Sequence, residues 1–227
     1  TISVDYALLN NLTISTNIPF VYKYDRVGTA SAKEATDLGD MSVGFTVQPI
    51  KAGGMIPPII FSCSVSLPTG SSPYEVDQNN TLATGSGLYG ISGGLSVSKV
   101  LDPVVAYGNL GYSYTFPKSG LDQYWSKTET LTEIEPGSSV SLSFGFGYAL
   151  SYQVNINMGG QMTYSFGSKY VVNDQETYEG GSSLSAAFSV GTGWRVTPAR
   201  SVYVSMGIGL TNNDADFSLN LRVPFDF

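Results

Sequence analysis

Hydrophobic and polar residues alternate one by one along most of this chain. The last stretch is the clearest. Phe217, Leu219, Leu221, Val223, Phe225 and Phe227 share one parity, and Ser218, Asn220, Arg222, Pro224 and Asp226 share the other. Successive side chains of a strand face opposite sides, so this parity predicts a strand with one oily face and one wet face. The same pattern recurs over 1–9, 12–24, 41–48, 59–67, 87–99, 104–116, 138–150, 153–166, 183–196 and 201–210, which with 216–227 makes eleven segments. Breakers of the kinds that turns demand separate them. Short connections fall near Asn10, Gly53, Asp102, Ser151 and Pro198, whereas 25–40, 68–84, 117–137 and 168–181 read as long loops.

Short turns at one end and long loops at the other are the pattern of bacterial outer-membrane barrels, which have even strand numbers. The expectation is therefore a single all-β domain over 1–227: a membrane-spanning antiparallel up-and-down β-barrel of 12 strands. Eleven are read here, and the twelfth would precede Thr1. Both ends of the strand series are expected on the periplasmic side. An open edge in lipid leaves backbone groups unpaired, at several kcal/mol each.

Composition decides between membrane and water. Charged residues make up 13% of the 227, aromatics 12%, with 15 Tyr and 26 Gly. A water-facing surface is about a quarter to a third charged. Here the wet parity is built of Ser, Gly, Asn, Thr and Gln. No apolar run reaches the roughly 18 residues of a helical span. Aromatics gather towards segment ends, where two interfacial girdles would lie: Tyr22, Tyr24, Tyr112, Tyr114, Phe116, Tyr164, Phe166, Trp194, Phe225 and Phe227. The lipid bilayer is thus the expected partner. The net charge of −7 disfavours nucleic acid. No basic segment followed by an apolar stretch opens the chain, which for a secreted protein predicts a leader already removed.

Candidate chemistry lies on the wet parity. Small residues such as Ser92, Gly94, Ser96, Ser141 and Gly145 leave space that the wall does not fill, so a water-filled conduit is expected. Its polar lining would include Ser92, Ser96, Asn109, Ser141, Asn155, Asn157, Gln161 and Asn220. The inward charges would be Asp5, Lys23, Arg195, Arg222 and Asp226. Arg195, Arg222 and Asp226 fall near the periplasmic ends of neighbouring strands, where they form either a selectivity ring or an ion-pair brace. The single Cys63 falls on the oily parity as a small filler. Barrel hydrolases and acyltransferases use His for base work, and this chain has none, so an enzyme is not expected. Asp214 and Asp216 are two carboxylates, too few for a calcium site. No cofactor or metal is expected.

Several ordered motifs carry a resemblance. They are LTISTNIPFVYKY at 12–24, Leu38-Gly39-Asp40, Leu67-Pro68-Thr69-Gly70, Thr84-Gly85-Ser86-Gly87, SVSLSFGFGYAL at 139–150 and Gly209-Leu210-Thr211-Asn212-Asn213-Asp214-Ala215-Asp216-Phe217. Together they resemble the outer-membrane family named for the meta-pathway of phenol degradation. The resemblance implies a transporter or porin-like channel for aromatic or other small hydrophobic compounds. The stretch 92–116 is also similar to FapF, the twelve-stranded functional-amyloid export channel of the same superfamily. That likeness implies secretion of amyloid subunits, a transported polypeptide as partner, and a homotrimer. A barrel without a conduit, whose outer loops such as 124–135 bind a surface partner, is the reading from another class.

Overall fold

The computed structural model describes residues 1–26, 33–50, 56–76, 81–126, 129–197 and 200–223. Its strands are β1 (Ile2–Leu9), β2 (Leu12–Ile18), β3 (Phe20–Asp25), β4 (Lys33–Leu38), β5 (Met41–Ile50), β6 (Ile59–Leu67), β7 (Gly90–Leu101) and β8 (Val104–Thr115). There follow β9 (Lys118–Ser126), β10 (Glu129–Glu135), β11 (Ser139–Ala149), β12 (Val154–Ser165), β13 (Lys169–Val172), β14 (Glu176–Glu179), β15 (Ser183–Thr197), β16 (Arg200–Gly209) and β17 (Phe217–Arg222).

One 11-stranded sheet forms the wall, in the order β1-β2-β5-β6-β7-β8-β11-β12-β15-β16-β17. Every neighbouring pair is antiparallel, so the chain meanders up and down. Among the described residues no ladder joins β17 to β1. Each of the eleven alternating segments supplies one wall strand. Register keeps like with like, since directly opposed residues share a face. Thus Leu95, Leu110, Leu142 and Met162 run across four strands on the oily face. Ser96, Asn109, Ser143 and Gln161 run beside them on the wet face. The oily side chains stand free of any protein core: Phe144 is 57% exposed and Leu219 64%.

The segment 12–24 is corrected. It is two strands, because Pro19 has no amide to give to a ladder and interrupts pairing. Only β2 belongs to the wall. β3 turns away and pairs with β4 in a two-stranded sheet of its own.

Two of the long loops, 117–137 and 168–181, are also corrected, because they carry strands. Residues 117–137 form the hairpin β9–β10, and 168–181 form β13–β14. These join in a four-stranded sheet of order β14-β13-β10-β9. Asn173 and Asp174 both have positive φ, the conformation tight hairpins require and one that Asn and Asp tolerate best among side-chain-bearing residues. Every buried apolar side chain among the described residues sits here or against it: Leu88, Leu121, Leu131, Ile134 and Val172. Tyr74 and Tyr170 pack on the cluster. Burial, and secondarily the neighbouring Tyr170, raises the Tyr74 phenol above its ordinary value. Lys118 Nζ reaches Glu75 Oε1 at 2.8 Å, and Gln123 Nε2 donates to the Pro73 carbonyl at 2.7 Å. Those bonds anchor the small sheet to the 68–89 connection.

Candidate functional site

The polar face of the wall carries the candidate site. At its loop end runs a row of directly opposed small residues from Asp5 through Ser15, Gly44, Ser64, Ser92, Ser113, Ser139, Ser165 and Ser183. Two pairs of these hydroxyls bond across strands, Ser64 with Ser92 at 2.7 Å and Ser113 with Ser139 at 2.8 Å. Asn109 Nδ2 donates to Ser143 Oγ at 3.1 Å. A hydroxyl bonded to its neighbour already has a good partner in place, and the surface stays wettable.

Nearer the short turns the face opens into a recess of about 620 Å³. Arg195, Arg222, Asn157 and Asn220 line it with Tyr107, Tyr203 and Ser205. Register explains the gathering. Tyr203 on β16 lies directly opposite Arg222 on β17, and Arg195 on β15 opposes Ser201, two residues along β16 on the same face. Opposed side chains are about 5 Å apart at Cβ and diagonal ones about 7–8 Å, so both guanidinium stems flank Tyr203. Among the described lining residues none carries a carboxylate. The salt bridges among the described residues, Lys118–Glu75 and Lys169–Glu179, involve neither arginine. Arg195 instead lies over the Tyr152 ring, 5.8 Å from its centroid.

Sequence parity misses the role of the two tyrosines. Tyr107 lies across the neighbouring backbone: a Cβ on Gly145 would be 2.5 Å from its hydroxyl, and one on Gly159 3.1 Å. Tyr203 covers Gly193 in the same way, with ring carbons 2.9 and 3.0 Å from the Cβ position. Asn155 completes that spot, its Oδ1 accepting the Gly193 amide at 3.0 Å. Each ring is still 42% exposed. The signal in the sequence is an aromatic on the wet parity. What it covers needs the cross-strand register.

The remaining predicted residues are placed as follows. Ser92, Ser96, Asn109, Ser141, Asn155, Asn157, Gln161 and Asn220 all lie on the polar face, as does Asp5. Lys23 does not: it sits on β3, off the wall, and its Nζ donates to the Ala83 carbonyl at 2.6 Å. Tyr22 and Tyr24 go with it and are corrected likewise. On the oily face, Tyr114 meets Phe116 and Tyr164 meets Phe166 edge-on, with centroids 5.2 and 4.9 Å apart, at the loop end. Trp194 lies at the opposite end, 56% exposed. Asp226, Phe225 and Phe227 lie outside the described residues.

Three of the sequence motifs converge in one corner of the loop end. Asp40 accepts the Gly70 amide at 3.2 Å on Oδ1 and the Ser86 amide at 2.6 Å on Oδ2. Thr69 Oγ1 donates to the Gly39 carbonyl and Thr84 Oγ1 to that of Leu38. The backbones touch, and a Cβ on Gly70 would lie 2.8 Å from the Gly85 Cα. A fourth motif makes a second corner. The Asp214 carboxylate accepts from Ser185 Oγ, Thr211 Oγ1 and the Ala186 amide. Those bonds, that from Ser185 first, hold its carboxyl below the usual range. It holds backbone in place and is taken up in doing so.

A structural relative supports the fold. The crystal structure of the COG4313 outer membrane channel from Pseudomonas putida F1 matches with a TM-score of 0.57 at 14% identity, over 97% of this chain and 79% of that one. The wall is thus that of an antiparallel membrane β-barrel. A family model described as "Putative MetA-pathway of phenol degradation" matches residues 4–227. With strand order, oily exterior and motif corners all on one chain, this protein belongs to that family.

Proposed function

We propose that the protein is an outer-membrane channel, not an enzyme, and that it passes small solutes through a lumen formed by the polar face of its wall. The observation that carries this is the recess: about 620 Å³ of open, polar space on a sheet whose other face is apolar and exposed. Interiors that are meant to be closed are filled to crystal-like density. The named role of the P. putida relative points the same way. The loop end with its small sheet would face outward, and the short turns with the end of β17 would face the periplasm. Folded protein added to a planar bilayer should give discrete conductance steps in potassium chloride. A silent, closed barrel would favour the adhesion reading instead. Arg195 and Arg222, the arginines whose side chains line the recess, should favour anions. Arg195→Gln with Arg222→Gln should move the reversal potential in a salt gradient towards the cation side.

Export of an unfolded polypeptide is a second reading. What favours it is the hydroxyl row from Ser64 to Ser183, a surface with little to adhere to. A fluorescent unfolded peptide trapped in vesicles separates the two. Escape through the barrel supports export, and retention while chloride passes supports the small-solute channel.

A further inference from the structure

We propose that the recess holds a binding site for small carboxylate anions that carry a flat ring, centred on Tyr203 between Arg195 and Arg222. The proposal rests on the channel reading for its route of access, and goes beyond it in naming what the lumen selects.

Two guanidiniums share a recess in which no described lining residue is acidic. A guanidinium presents a planar fork of N–H donors that matches a carboxylate two bonds at a time. The amides of Asn157 and Asn220 and the hydroxyl of Ser205 line the same space and add donors without charge. Tyr203 lies against Gly193, where Asn155 also reaches, and the residue is part exposed on the polar face. Arg222 stands directly opposite it and Arg195 diagonally. The ring thus has an arginine position on each side, and the Arg195 guanidinium, now over the Tyr152 ring at 5.8 Å from its centroid, lines the same recess. Aromatic faces prefer an offset stack with another flat group, so a ring bearing a carboxylate satisfies both features at once. An aliphatic anion satisfies only the fork, and a neutral phenol only the stack.

Benzoate, cyclohexanecarboxylate, acetate and phenol are the probes. Chloride current through single channels is recorded while each is titrated. Benzoate should interrupt the current at a concentration at least tenfold lower than acetate or phenol. Arg195→Gln with Arg222→Gln should raise the benzoate concentration needed by tenfold or more. Tyr203→Leu should leave the response to acetate unchanged and erase the preference of benzoate over cyclohexanecarboxylate. Equal potency of benzoate and phenol, or a double arginine variant that responds as the wild type does, overturns the proposal. Calorimetric titration of the detergent-folded barrel with benzoate reads the site without any current. A barrel that binds benzoate but conducts nothing sinks the channel and keeps the site. One that conducts chloride but binds benzoate no better than acetate does the reverse.

Discussion

Leu142 on β11 and Leu131 on β10 are the same residue on the same kind of strand, fewer than a dozen positions apart. Leu142 is 39% exposed and Leu131 2%. The first belongs to the wall, whose apolar side chains have no protein to meet. The second belongs to the four-stranded sheet, where Val172, Leu121 and Ile134 close over it. Both segments are strands, and the medium outside decides what their apolar residues do. In the wall that medium is hydrocarbon. At the loop end it is water, so the apolar residues there must find each other.

The hardest test of that contrast is a charge on each face of β11. Leu142→Arg places a guanidinium near mid-height of the oily face and should cost roughly 2–4 kcal/mol in lipid, enough to block assembly. Ser143→Arg, one residue on, should leave folding nearly intact because it faces solvent. Gel migration of unheated, vesicle-folded protein reports both, and equal yields would mean the faces are assigned wrongly.

Next in size is the small sheet. Leu131→Ala should cost about 2–5 kcal/mol, the range for emptying a packed site. The loss should stay local. Limited proteolysis should open 118–135 while the wall remains protected, and simultaneous loss of both would show that the two regions are one cooperative unit.

A milder effect is expected where a ring meets bare backbone. A Cβ on Gly145 would lie 2.6 Å from the Met158 carbonyl as well as against Tyr107. Gly145→Val should therefore lower the urea midpoint by the equivalent of about 1–3 kcal/mol. Gly108→Ala, whose nearest neighbour would be 3.9 Å away, serves as the tolerant control.

Smallest is the Asp214 corner. Its carboxyl is held below the unfolded value, so its contribution is full above about pH 4 and fades as pH falls through the folded value. Asp214→Asn should weaken amide protection of 210–216 at neutral pH and flatten the dependence on acid. Hydrogen exchange at neutral and acid pH measures it, and an unchanged acid profile would show that the corner does not depend on the charge.

The wall was legible because parity is a local property of the chain. Val140, Leu142, Phe144 and Phe146 declare their face without help from any other strand. The misplacement of Lys23, Tyr22 and Tyr24 has an equally local cause, since their parity continues unbroken through Pro19 and only the proline marks the departure from the sheet. The strands of the small sheet were hidden because their apolar parity does not run through, as in β10, where Leu131 and Ile134 are both buried across a register shift between Leu131 and Glu133. The site was half legible. Arg195 and Arg222 stood out as rare charges on a wet face. The place of Tyr203 between them depends on strand register, and so does Tyr107 over Gly145 and Gly159. Sequence parity alone does not supply register.

Asp40 takes its two amides from residues 30 and 46 positions further along. That corner cannot set until the start of β7 has arrived beside the end of β4. The one carboxylate therefore ties the entry to β5, the exit from β6 and the approach to β7 into a single knot at the rim.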